Sequence, residues 1–280
     1  GMCSNGCIHG AFQERFRAEA LAGEELERLK PDIREICESK PNWHPTELEQ
    51  NTCYHALGHL LMYITAANTE KSVELCREVA LKSDGRNFLQ FCYDGAYMQI
   101  FQPLEPEDFA LVENKGPKKK EGLASFCAQF SGEAGESCWR EGWPLFREEI
   151  KTPDGLVEFC SRPADLIYQQ KCYNSLFYVL TAVGFNFEED RITAFCNALP
   201  PHLQGRCFKN AASRFIETDY RLVDKSVELC GLAATLGAGE ECYKELLFYS
   251  TFNFQKGSQE FFRLCRALPE PWKTRCLSGA

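Results

Sequence analysis

Sixteen cysteines fall in two interleaved series, and their spacing restricts the chain to a repeat architecture. One series runs Cys7, Cys53, Cys92, Cys138, Cys172, Cys207, Cys242, Cys276, with last four intervals of 34, 35, 35 and 34 residues. The other runs Cys3, Cys37, Cys76, Cys127, Cys160, Cys196, Cys230, Cys265, with last four intervals of 33, 36, 34 and 35. Flanking residues follow the same period. KSVELC occurs at Lys71–Cys76 and again at Lys225–Cys230, and CNALPPHLQGRC (Cys196–Cys207) matches CRALPEPWKTRC (Cys265–Cys276). Self-similarity at such a period marks stacked supersecondary units.

Each cysteine of the first series precedes a large apolar residue (Ile8, Tyr54, Tyr93, Trp139, Tyr173, Phe208, Tyr243) and a helical pattern of about twelve residues. This helix A is expected to start at Cys7, Cys53, Cys92, Cys138, Cys172, Cys207 and Cys242. It ends at turn-forming residues such as Asn68-Thr69, Asn186 and Gly257-Ser258, which suit the cap of a second helix. Thr152-Pro153 has the form of an N-cap followed by proline at the first helical position. Helix B carries the second-series cysteine near its end, where Pro163, Pro200, Pro201, Pro269 and Pro271 follow. The expected fold is all-α: a single repeat domain over 1–280, a right-handed α-solenoid of about seven helical hairpins of ~35 residues. Cys92 to Cys127 is longer than the corresponding span elsewhere, which places an insertion loop at 103–122 with Lys118, Lys119 and Lys120. An insertion on a rigid scaffold reads as a solvated tip or as a binding loop.

Sixteen cysteines in 280 residues, with no C-x-x-C zinc spacing, point to disulfides and an oxidising, extracytoplasmic compartment. Only pairing across each B-to-A turn makes every unit equivalent. The expected staples are Cys3–Cys7, Cys37–Cys53, Cys76–Cys92, Cys127–Cys138, Cys160–Cys172, Cys196–Cys207, Cys230–Cys242 and Cys265–Cys276, eight in all. Each would contribute on the order of 2–3 kcal/mol by constraining the unfolded chain. An even count with every thiol paired leaves none for nucleophilic catalysis. Cys3 would belong to a helix B outside the sequence and Cys276 opens only a short helix A, so both ends are expected to fall within the repeat.

Thirty-one Lys+Arg against 40 Asp+Glu give a net charge of −9, which argues against nucleic acid and anionic membrane surfaces as partners. No apolar run reaches the roughly 18 residues of a spanning helix, so direct membrane insertion is not expected. G-x-S-x-G, phosphate-loop and haem-attachment motifs do not occur.

The order of helix-B cysteine, short proline- or glycine-containing turn, helix-A cysteine and aromatic residue resembles the Sel1-like, TPR-related solenoids of the Helicobacter cysteine-rich protein type. CYHALGHLLMY (Cys53–Tyr63) is the segment most similar to their helix A. The resemblance is one of architecture and implies an exported, disulfide-stapled binding scaffold.

Two positions after the first-series cysteine stand His9, His55, Asp94, Arg140, Asn174, Lys209 and Lys244, a uniformly polar column. Polar columns beside buried aromatics are commonly just solvated. As a functional face, Arg140, Asn174, Lys209 and Lys244 would contact a peptide, protein or cell-envelope ligand. His59 adds an i+4 partner to His55 on the same side of that helix. With His9 and Asp94 reaching in from neighbouring helices, His9, His55, His59 and Asp94 would make a ligand set for Zn²⁺ or another first-row ion. The leading expectation is a non-catalytic binding scaffold; the alternatives are a metal-binding protein or metal-dependent enzyme, and a rigid spacer.

Overall fold

The computed structural model describes residues 23–103 and 106–279. The chain divides into two compact units, 1–146 and 147–280. Every regular element among the described residues is helical, apart from two isolated β-bridges. The fold is an all-α, disulfide-stapled repeat.

In the first unit the helices are α1 (Gly23–Glu35), α2 (Glu47–Ile64), α3 (Thr69–Ala80), α4 (Leu89–Phe101), α5 (Pro106–Leu111), α6 (Leu123–Cys127) and α7 (Glu133–Glu141). The second holds α8 (Pro153–Cys160), α9 (Leu166–Val179), α10 (Glu189–Ala198), α11 (Pro201–Thr218), α12 (Val223–Thr235), α13 (Gly239–Phe252), α14 (Gln259–Ala267) and α15 (Trp272–Ser278). The A helices are α2, α4, α7, α9, α11, α13 and α15. Consecutive A helices within a unit pack on one another, α2 on α4 and α4 on α7, then α9 on α11 and α11 on α13. Five A–B hairpins lie complete within a unit among the described residues; α7 belongs to the first unit and α8 to the second, and of the hairpin opened at Cys7 only α1 is described.

Helix A begins earlier than the cysteine register suggests. Cys53 lies in the second turn of α2, because Thr46 caps that helix: its hydroxyl accepts from the Glu49 amide at 3.2 Å while the Glu49 carboxylate accepts from the Thr46 amide at 2.7 Å. Asp165 caps α9 by accepting from Ile167 N at 2.8 Å, and Pro201 opens α11. The cysteine marks a buried position inside the helix, and a polar cap upstream marks its start. Of the expected caps of the B helices, those at Asn68, Thr152 and Ser258 form, whereas Asn186 does not cap α10, which starts after Glu188 with no side-chain cap.

Two of the A-to-B turns share a geometry, the second with a compensating defect. Ala66 and Ala67 take φ of 52° and 56°, and Asn186 and Phe187 take 50° and 58°. The second pair sits one residue further from its cysteine. A π-helical turn at Leu180–Gly184 absorbs that extra residue and restores the same exit from helix A.

Seven staples close the B-to-A joints: Cys37–Cys53, Cys76–Cys92, Cys127–Cys138, Cys160–Cys172, Cys196–Cys207, Cys230–Cys242 and Cys265–Cys276, with Cα atoms 5.2–5.7 Å apart. Each matches the pairing expected from sequence; Cys3 and Cys7 lie outside the described residues. No described cysteine is free. Tyr54, Leu57 and Leu61 of α2 with Ala96 and Tyr97 of α4 are fully buried, as are Leu176, Phe208, Phe215, Leu229, Leu246 and Leu264 in the second unit.

Two glycines set the α2–α4 distance. A Cβ on Gly58 would lie 2.1 Å from the Cys92 carbonyl oxygen, and one on Gly95 would lie 1.9 Å from that of His55. The backbones are in contact there, and this brings the polar side chains of both helices within reach of one another.

Candidate functional site

The polar seam of the first unit is built on that close approach. His55 and His59 lie one turn apart on α2, with their Nε2 atoms 3.3 Å from each other. His59 Nδ1 donates to Gln99 Oε1 of α4 at 2.6 Å; the amide oxygen can only accept, so this bond puts the proton on Nδ1. His59 and Gln99 are buried, whereas His55 is half-buried.

Asp94 of α4 is ion-paired with Arg140 of α7, whose guanidinium also donates to Ser137 Oγ at 2.9 Å. Arg140 is only 2% exposed. Beside it, buried Glu141 accepts from Gln102 Nε2 at 3.0 Å. Burial pushes Glu141 up to about 8, with the Asp94 charge adding to the shift, against the pull of Arg140 and the Gln102 hydrogen bond. Burial also raises Asp94, outweighing Arg140. Glu141, pushed up to about 8, thus keeps its proton at neutral pH beside the Asp94–Arg140 contact.

The sign of the pH dependence follows. A carboxyl raised in the folded chain keeps a proton that the unfolded chain releases, so stability is full below the unfolded pKa near 4.5 and falls as pH climbs toward 8. Glu141→Gln should flatten the decline in melting temperature between pH 5 and 8, with a gain on the order of a few kcal/mol at the upper end. Thermal melts of both proteins across that range check it; equal slopes would refute it.

The polar column is a set of ties between helices. Asp94 meets Arg140 in the first unit. In the second, Asn174 Oδ1 of α9 accepts from Arg206 Nη1 at 2.9 Å and Asn210 Nδ2 at 3.3 Å on α11. Lys209 of α11 pairs with Glu241 at 3.1 Å and Glu245 at 3.5 Å on α13. Lys244 alone in this set is exposed, and it pairs with Glu240 of its own helix. The column is not uniformly outward-facing: it is buried at Asp94 and Arg140 in the first unit and half-buried at Asn174 and Lys209 in the second. A polar residue on the flank of a helix faces its neighbour as readily as solvent.

The four-residue metal set is not brought together among the described residues. Asp94 is committed to Arg140, and His9 lies outside them. No group of three or more His, Cys, Asp or Glu side chains placed to hold a metal ion occurs among the described residues. What the structure does bring together is the His55–His59 pair.

Sequence reasoning missed Gln99, Gln102 and Glu141. A signal for the first was present, since Asp94 and Gln99 interrupt the apolar run LQFCYDGAYMQIF of α4. It also missed a second polar cluster, where the Arg214 guanidinium of α11 lies 3.9 Å from the centre of the Tyr178 ring and 3.4 Å from Glu217. Tyr249 of α13 donates to Glu217 at 3.5 Å, and the Tyr178 hydroxyl contacts both Arg214 and Glu217. Burial pushes Glu217 up to about 8 and Arg214 down to about 10.

The insertion is the other departure from the repeat. It carries α5, and Gly116 packs so closely on α4 that a Cβ there would lie 2.5 Å from Ile100 Cγ2. Between them opens a cavity of about 430 Å³ lined by Ile100, Pro103, Phe109, Val112, Glu113 and Lys118 among others. Phe109 is 58% exposed.

Compared with known proteins, the chain matches no family model, no curated protein and no solved structure. The resemblance drawn from the cysteine pattern therefore holds for the helical, disulfide-rich architecture and goes no further. The staples mark an oxidising, extracytoplasmic environment, and no helix among the described residues is long and apolar enough to cross a membrane.

Proposed function

We propose that the chain is an exported repeat scaffold that binds a peptide or protein ligand, and that the ligand meets the insertion at 103–122. The polar column is an unsuitable receptor, because Asp94, Arg140, Asn174 and Lys209 already hold neighbouring helices together. One observation carries the reading. A largely exposed phenylalanine, Phe109, stands at a cavity on the segment that breaks the repeat, and Gly116 fixes that segment against α4. Large exposed aromatics on a rigid support are the usual anchors of recognition. Exposed Lys118, Lys119 and Lys120 flank it, so the ligand that fits presents an apolar side chain beside a carboxylate.

Cross-linking in the native extracytoplasmic fraction tests this. Wild-type protein should capture a discrete partner, and Phe109→Ser, which leaves the core untouched, should reduce capture at least tenfold, with Lys118→Glu weakening it less. Undiminished capture by Phe109→Ser would reject the insertion as the ligand site.

A further inference from the structure

We propose that His55 and His59 form a two-imidazole chelate for a tetrahedral divalent cation, with Zn²⁺ the best fit. Their Nε2 atoms are 3.3 Å apart. Two nitrogens bound at about 2.0–2.1 Å with a tetrahedral angle of about 109° stand about 3.3–3.4 Å from each other. Cis positions of a square-planar or octahedral ion at the same bond length close to about 2.8–3.0 Å. The observed spacing suits the tetrahedral edge, and it is also that of the ring-to-ring hydrogen bond which the ion would replace.

Gln99 supplies the outer support such a ligand needs. By accepting from His59 Nδ1 at 2.6 Å it leaves the lone pair on Nε2, the atom that faces His55. A histidine ligand whose other ring nitrogen is held by a buried acceptor has its tautomer and orientation fixed before the ion arrives. Gln99 is 3% exposed, and its Nε2 finds no partner, so nothing but His59 accounts for this polar group in the interior. The glycine contact at Gly58 and Gly95 brings Gln99 to its histidine. No described thiolate competes for the ion, since every described cysteine is oxidised.

The test uses the full chain stripped with chelator and titrated with Zn²⁺ by calorimetry. One ion should bind per chain. His55→Ala should weaken binding at least tenfold, and His55→Gln, which keeps the side-chain volume, should do the same if the alanine variant folds poorly. His202→Ala, at an exposed position in the first turn of α11, should bind as the wild type does. Co²⁺ in place of Zn²⁺ should give the intense visible bands of a four-coordinate site. Absence of stoichiometric uptake, equal uptake by both His55 variants, or the weak Co²⁺ spectrum of an octahedral site would each overturn the proposal.

Discussion

Once reduced and alkylated, the chain should lose its cooperative thermal transition and most of its helical circular dichroism at physiological temperature. The staples close loops with separations of 11, 12 or 16 residues, and loop-closure entropy assigns each about 3 kcal/mol. Among the described residues three lie in the first unit and four in the second, so losing these removes about 9 and about 12 kcal/mol. A folded domain has only about 5–15 kcal/mol in total. Local helix strength offers no reserve. Helices α6, α7 and α8 span five, nine and eight residues, well below the length at which a helix persists alone in water. The sulfurs are also shielded, because every described cysteine is at most 6% exposed. Reductant should therefore act slowly on the native chain and quickly once mild denaturant opens the joints. A reduced, alkylated sample melting within about 5 °C of the oxidised one would show that packing rather than the staples holds the hairpins together.

The staples were legible in the sequence because they repeat: two cysteine phases at one period leave a single pairing that makes all units alike. The caps at Asn68, Thr152 and Ser258 were legible for a local reason, since a side chain bonding an amide three residues on needs nothing from the rest of the fold. What escaped depends on contacts between distant residues. Helix A starts ahead of its cysteine because Thr46, Asp165 and Pro200-Pro201 act upstream, whereas the eye is drawn to the aromatic that follows. The column was read correctly as polar, yet polarity does not say whether water or another helix lies opposite. Asp94 is opposed by Arg140, 46 residues away, and only the packing of α4 on α7 brings them together. Likewise the pair Gly58 and Gly95 looks unremarkable until both backbones are seen to touch. His55 and His59 were found because their spacing is local; Gln99, 40 residues from His59, was not.

Removing Arg140 should be the most damaging single charge change in the first unit. Its guanidinium neutralises Asp94 in a site where Arg140 is 2% and Asp94 8% exposed. Loss of one partner strands the other in a medium that solvates it poorly, at a cost of about 3–5 kcal/mol. Arg140→Met keeps much of the volume and should show that cost at pH 7.5. The deficit should shrink as pH falls, because Asp94 without its partner is raised further: stability is then fully present only below the unfolded pKa near 3.8 and is lost as pH rises through the folded value. The double variant Asp94→Asn with Arg140→Met should recover most of the loss, since it leaves no unpaired charge between α4 and α7. Urea denaturation of the three proteins at pH 4.5 and 7.5 separates the possibilities. If Arg140→Met costs the same at both pH values and the second substitution restores nothing, Arg140 acts through packing of its aliphatic stem, and the ion pair contributes no net stability to the seam.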